Sequence, residues 1–296
     1  MTTNDDDPFR WVCLRSHMSR QPINEAALVL TAMGIDNYVE MEAGEWCLFI
    51  RQGHRHAAID QLERYRVENM PPRVRVPRII IFDSGWAGIL GYLLVIWSVP
   101  ALASWGMLGA GWQNAGIMQA GLVGEGEWWR AVTALTLHAS FAHLVANSLF
   151  GAVFGLMAGR YLGSGFAWLL ILLAGVFGNL LNAWARPDEF RSLGASTATF
   201  AAVGLISAFV WRRGYFRGRG LRRGLAPVFA GIALLVFTGL GGGNTDIFAH
   251  IAGFSCGAVL GYLAAGFDIR RLGHSGQYLS GAAAMLLLLI AWSWAT

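Results

Sequence analysis

Lysine is absent from this 296-residue chain, so all 22 of its basic residues are arginines. Charge of either sign is scarce, at 14% of residues against about 25% in an average soluble domain. That is too little to cover a water-facing surface of this size. With 55% apolar residues, it excludes a soluble globule, a disordered chain and a coiled coil. Cysteine is limited to Cys13, Cys47 and Cys256, an odd number without metal-like spacing. This argues against a disulfide framework and a zinc ribbon and makes the three spectators. The acidic start up to Pro8 lacks an apolar segment of the kind that precedes signal cleavage, so the N-terminus is expected to stay in the cytoplasm. A formal charge of +4 is no footprint for nucleic acid here. The arginines cluster beside apolar runs, as they do on the cytoplasmic side of membrane proteins.

Residues 1–70 hold much of the acid and read as a small α+β cytoplasmic domain. Phe9 to Leu14 is a predicted strand, and Asn24 to Met33 a helix ended by Gly34. Asn37 to Glu42 and Trp46 to Arg51 form a hairpin through Ala43-Gly44-Glu45, and His54 to Val67 is a second helix. His54 and His56 in that helix are expected to be solvated. Residues 71–85 form a basic, proline-stiffened linker. Seven apolar runs of spanning length or close to it follow: Trp86–Trp105, Ala142–Gly159, Phe166–Ala185, Ala195–Trp211, Pro227–Gly241, Ile247–Gly266 and Leu279–Ala295. With the N-terminus inside, the inner loops carry nine arginines (Arg160, Arg212, Arg213, Arg217, Arg219, Arg222, Arg223, Arg270, Arg271). The outer loops carry three, Arg130, Arg186 and Arg191. This bias sets the orientation and places the C-terminus outside. The first outer connection, residues 106–141, is rich in Trp, Gly and Leu and is expected to rest in the interface or dip against the helices.

Polar side chains inside lipid are costly, so the few present are functional candidates. His143 and Asn147, four residues apart, share one helix face and can present donors to one point; alone, they read equally as a helix-bridging pair. Ser196 follows Gly194-Ala195 at a helix start, where free backbone N–H groups and the helix dipole favour an oxyanion; alone, it reads as an ordinary N-cap serine. His250 heads the row Gly253, Gly257, Gly261, a small-residue stripe on which another helix can pack closely. If that helix is the fourth span, His250 can serve as general base to Ser196, with Phe200 one turn below stacking on the imidazole. Nucleophile, base and oxyanion donors together make the inventory for acyl transfer. Asn179 and Asn182 on the third span are expected to bridge helices or face the cavity.

These residues resemble the rhomboid family of intramembrane serine proteases over about residues 80 to 270, in matching order. Trp129-Arg130 is similar to the family's W-R element in the first outer loop, and His138 with His143-x-x-x-Asn147 to its H-x-x-x-N helix and upstream histidine. Gly194-Ala195-Ser196 is similar to its G-x-S, and Ala249-His250-x-x-Gly253-x-x-x-Gly257 to its A-H-x-x-G-x-x-x-G. The resemblance implies an all-α polytopic membrane protein. Its six-helix rhomboid core spans residues 86–270, followed by an extra C-terminal transmembrane helix in 271–296 and preceded by the α+β cytoplasmic domain. It further implies a Ser196–His250 dyad and an oxyanion hole from His143, Asn147 and the Ser196 N–H. Gly194, Phe200, His138, Gly253, Gly257, Trp129 and Arg130 would support the site, in a wet cavity lined by His138, His143 and Asn147. Three positions depart from the family's pattern: Thr197 in place of Gly, Phe200 in place of the commoner Tyr, and Gly159 in place of a Glu that ties down the first outer loop.

The expected activity is cleavage of transmembrane protein substrates near the outer face of a bacterial inner membrane. The expected partners are transmembrane substrates and the bilayer, with no nucleic acid and no cofactor or metal. The alternative is a catalytically silent rhomboid-like protein that binds membrane clients. A transporter would be expected to show internal repeats, and a metalloprotease H-E-x-x-H; neither is found.

Overall fold

The computed structural model describes residues 7–70, 81–107, 111–215, 229 and 246–296, in two compact units that divide after Arg73. The first unit runs β1 (Trp11–His17), α1 (Arg20–Ala32), β2 (Asn37–Glu42), β3 (Glu45–Arg51) and α2 (Arg55–Glu68), with an antiparallel sheet in the order β1-β3-β2. Alternation in β3 sends Leu48 and Ile50 into a core with Ile23, Ala26 and Leu30 of α1 and Ala58 of α2. Ala43 (φ 48°) and Gly44 (φ 89°) take the left-handed conformation that a two-residue hairpin turn needs. β1 starts and ends later than its pattern predicts, because a bulge between Cys13 and Arg15 carries pairing on to His17. Cys13 and Cys47 are free thiols. A hydrogen bond with Cys13, then burial, pushes the Cys47 thiol up to about 11, which keeps it protonated at neutral pH. His54 and His56 are exposed.

The second unit is helical. Six of the seven expected spans are helices: α3 (Trp86–Ser104), α7 (Phe141–Leu162), α8 (Ser164–Trp184), α9 (Ser196–Arg212), α10 (Ile247–Ala264) and α11 (Gly273–Ala295). The fifth, Pro227–Gly241, lies outside the described residues except for Phe229. Five of the described helices are long and apolar enough to cross a bilayer. This is a polytopic helical membrane protein with a small strand-containing N-terminal unit. α9, with 17 residues, is the short one and the most enclosed; nearly every residue from Thr197 to Val210 is buried. Its small residues Ala198, Ala201 and Gly204 let neighbouring backbones close in on it. α7 runs past Gly159 to Leu162. Gly159 is not a stop: a Cβ there would stand 3.1 Å from the Gly85 Cα, so the glycine is what lets the two backbones approach.

Between α3 and α7 the chain forms α4 (Trp112–Gly116), β4 (Met118–Gln119), α5 (Ala120–Gly124), α6 (Arg130–Thr133) and a 3-10 turn over Ala134–Thr136. This loop packs into the protein as its composition suggests, and Ala131 through Leu137 are buried. Arg130, itself buried, ion-pairs with Glu127 and donates to the carbonyls of Asn114 (2.7 Å) and Ile117 (2.9 Å), cross-bracing the loop. The last residues of the expected linker are bonded to the helical unit. Phe82 N–H donates to the Arg160 carbonyl (2.7 Å), and Asp83 accepts from Ser164 Oγ (2.7 Å) and N–H (3.1 Å). Burial opposes the charge of Asp83, but these bonds and one from Gly85 N–H outweigh it and hold the carboxyl below its ordinary value.

Candidate active site

Ser196 opens α9. The preceding Arg186-Pro187-Asp188-Glu189 cannot continue a helix, and the chain instead forms β5 (Arg191–Ser192), which pairs antiparallel with β4 of the packed loop. Two further bonds, Ala120 N–H to the Phe190 carbonyl and Gly121 N–H to the Asp188 carbonyl, both 3.0 Å, fasten the approach to the serine. Gly194 then takes φ 134°, closed to most side chains, and donates its N–H to the Ala134 carbonyl (2.9 Å). A Cβ on Gly194 would stand 2.7 Å from His143 Cε1 and 3.6 Å from Ser196 Oγ, so this glycine lies between the serine and the histidine.

His250 sits in the first turn of α10, whose glycine stripe lies against the α9 backbone. Cβ atoms added to Gly253, Gly257 and Gly261 would come within 2.3, 2.0 and 2.1 Å of the carbonyls of Thr197, Ala201 and Leu205. Gly204 of α9 is equally close to the Phe254 carbonyl, so each helix offers glycine to the other. The approach brings His250 Nε2 to 3.0 Å from Ser196 Oγ. The Phe200 ring lies 4.3 Å from the imidazole, tilted 33°. His250 Nδ1 is buried and has no hydrogen-bond partner among the described residues. Thr197, the departure beside the serine, fits because its methyl packs where α8 and α10 both present glycine, at Gly178 and Gly253.

His143 and Asn147 share one face of α7, which Ser140 caps by accepting the His143 N–H (3.2 Å). Asn147 is buried and its Nδ2 has no partner among the described residues, so its amide protons can serve a ligand. Its backbone carbonyl accepts from Tyr92 Oη of α3 (2.8 Å), whose ring stacks on Trp168 of α8 at 4.6 Å. Ser196, His250, His143, Asn147 and Phe200 line one cavity of about 1020 Å³. His138 is not among its lining residues; its ring stands edge-on to His143 at 5.3 Å, behind the cavity wall. Trp129 and Arg130 lie in the packed loop, away from the cavity.

A carboxylate missed by sequence reasoning lies at the cavity edge. Asp246 caps α10 by accepting from Ala249 N–H (3.1 Å), and it also accepts from Asn182 Nδ2 (2.5 Å), Ser192 Oγ (2.9 Å) and Arg186 (3.3 Å). One side chain thus ties the start of the His250 helix to α8 and to the segment before Ser196. The available signal was an Asp just ahead of an apolar run, the mark of a helix N-cap. Asn182 bridges helices here as expected, and Asn179 donates to the Ala131 carbonyl (2.9 Å) of the packed loop. Among the described residues there is no cluster of three or more His, Cys, Asp or Glu able to hold a metal ion.

Residues 125–267 match the Rhomboid domain family. The chain is 29% identical over 203 residues to the putative rhomboid protease YdcA of Bacillus subtilis, covering 67% of this chain and 94% of that protein. It is 34% identical over 145 residues to Rhomboid-like protease 1 of Toxoplasma gondii (48% and 49%) and 30% identical over 180 residues to rhomboid protease GluP of B. subtilis (59% and 33%). The match therefore takes in nearly all of YdcA but half or less of the other two. The helical bundle, the domain match and these relatives support a protein of the rhomboid family, whose members are intramembrane serine proteases.

Proposed function

We propose that this protein is an intramembrane serine endopeptidase working through a Ser196–His250 dyad. The observation that carries the proposal is the 3.0 Å approach of Ser196 Oγ to His250 Nε2 inside a cavity that His143 and Asn147 also line. With the imidazole proton on Nδ1, Nε2 accepts the hydroxyl proton as Oγ attacks the scissile carbonyl carbon. The oxyanion that forms accepts from Asn147 Nδ2, the His143 ring N–H and the Ser196 backbone N–H, at the positive end of the α9 dipole. His250 then hands its proton to the departing amide nitrogen, leaving an acyl-serine. Water entering the cavity repeats the sequence and releases the second product. The Phe200 ring against the imidazole restrains its rotation, which matters because no acidic partner among the described residues fixes Nδ1.

The substrates are transmembrane segments presented within the bilayer. The arginine bias supports an orientation with the N-terminal unit in the cytoplasm and the C-terminus outside, in the inner membrane of a bacterium, and hence cleavage near the outer face. The catalytically silent alternative is disfavoured, since both dyad residues are present and in contact. The test is cleavage of a reporter transmembrane substrate in proteoliposomes. Cleavage by the wild-type chain, lost in Ser196→Ala, is expected. A wild-type chain that retains the reporter without cutting it would instead favour client binding.

A further inference from the structure

The C-terminal helix, α11, lies beyond the residues that match the Rhomboid domain, and its two terminal tryptophans would ordinarily be read as interfacial anchors. Their contacts exceed that role. Trp292 is half-buried and donates Nε1–H to Thr136 Oγ1 (3.1 Å), in the 3-10 turn Ala134–Thr136. A Cβ added to Gly116 would stand 2.8 Å from the Trp292 ring, so the loop backbone lies directly on the indole. The Trp294 ring lies 5.8 Å from that of Trp128 and 5.5 Å from that of Trp129. About 22 Å further along, 15 residues at 1.5 Å, Gln277 is also fixed: Nε2 donates to the Leu162 carbonyl (2.9 Å) and Oε1 accepts from Phe166 N–H (3.0 Å). The buried residues of α11 are Gln277, Ala284 and Ala291, spaced by seven along one stripe. The helix is therefore held at both ends.

What α11 holds leads to the serine. Thr136 passes the contact on by donating its Oγ1–H to the Thr133 carbonyl (2.7 Å), and Thr133 Oγ1 donates to the Gly116 carbonyl (2.7 Å). The same turn presents the Ala134 carbonyl to Gly194 N–H at 2.9 Å. Gly194 is the residue between Ser196 Oγ and His143.

We propose that Trp292 and Thr136 are positioning residues: α11 clamps the Ala134–Thr136 turn, and through it the Gly194 hinge that sets Ser196 against its oxyanion donor. The activity arm of the test rests on the Ser196–His250 reading above; a second arm does not. Full-length Trp292→Phe keeps an aromatic side chain but loses the donor and the outer edge of the indole, Thr136→Val loses the acceptor and its own bond to the Thr133 carbonyl, and Thr136→Ser restores both. Leu289→Ala, exposed on the same helix, is the control. In the first two variants kcat is expected to fall on the order of tenfold with KM unchanged, as misplacement of a reacting group by a fraction of an ångström does. The double variant is expected to lose less than the sum of the two single variants, because both changes remove the same Nε1–Oγ1 contact. Thr136→Ser should return to near wild type and Leu289→Ala should match it. Hydrogen exchange in peptides covering 130–137 and 191–196 should be faster in Trp292→Phe than in Leu289→Ala, whether or not the protein cleaves anything. Unchanged exchange and unchanged kcat in Trp292→Phe would overturn the clamp, as would an additive double variant. A wild-type chain without activity, but with the exchange difference intact, would refute the protease reading and leave the clamp standing.

Discussion

Replacing Gly257 with alanine is a small change with a calculable result. The new Cβ would lie 2.0 Å from the Ala201 carbonyl oxygen, 2.7 Å from its carbon and 2.8 Å from its Cα. All three are backbone atoms of α9, so no side chain can rotate away. Reaching ordinary contact at about 3.4 Å requires α10 to retreat by roughly 1.4 Å, since packed interiors do not deform at one atom. His250 lies two turns up the same helix and must move with it, stretching its 3.0 Å contact with Ser196 toward about 4 Å, beyond direct proton transfer. Overpacking of this kind costs about 1–3 kcal/mol, and a 1 Å misplacement of a catalytic group about a hundredfold in rate. The assay is kcat on a reporter transmembrane substrate with thermal unfolding measured alongside. Gly91→Ala is the control, because nothing lies within 4 Å of a Cβ there. Gly257→Ala with wild-type turnover and wild-type stability would refute the packing argument, because an α9–α10 interface that absorbs a methyl cannot be what holds the histidine.

Asn147→Ala should lower kcat by about 10²–10³ with little change in KM, since it removes one donor used only once the oxyanion forms; an equal loss of affinity at unchanged kcat would contradict that role. Asp246→Ala leaves the Asn182 amide and Ser192 hydroxyl without their acceptor and uncaps α10, so unfolding should fall by about 1–3 kcal/mol and kcat with it. Asp246→Asn should lose less of both. Thr197→Gly, which restores the commoner family residue, should cost about 1 kcal/mol by vacating the space between Gly178 and Gly253 and should not raise turnover.

The spans were legible because lipid leaves a backbone no alternative to internal pairing, so apolar length alone is enough to mark α3, α7, α8 and α10. The start of α9 at Ser196 was legible from the charged, proline-containing run before it. The start of α11 was not. Gly273 to Tyr278 contain His274 and Gln277 and look too polar to join a span, yet Gln277 is satisfied by the α7–α8 junction. The pairing of Ser196 with His250 could be anticipated from the glycine stripe, a pattern carried within one helix. The Asp246 network could not, because Asn182, Arg186 and Ser192 reach it from two other segments. The family resemblance implied His138 in the cavity wall, whereas its ring stands edge-on to His143 and does not line the cavity.

The dyad is tested most directly by mapping where a fluorophosphonate reacts, by mass spectrometry of the labelled full-length protein. One adduct is expected, on the peptide containing Ser196, and its formation should disappear in His250→Ala, whose hydroxyl has no base. An adduct on another residue, or labelling of Ser196 at an unchanged rate in His250→Ala, would contradict the account.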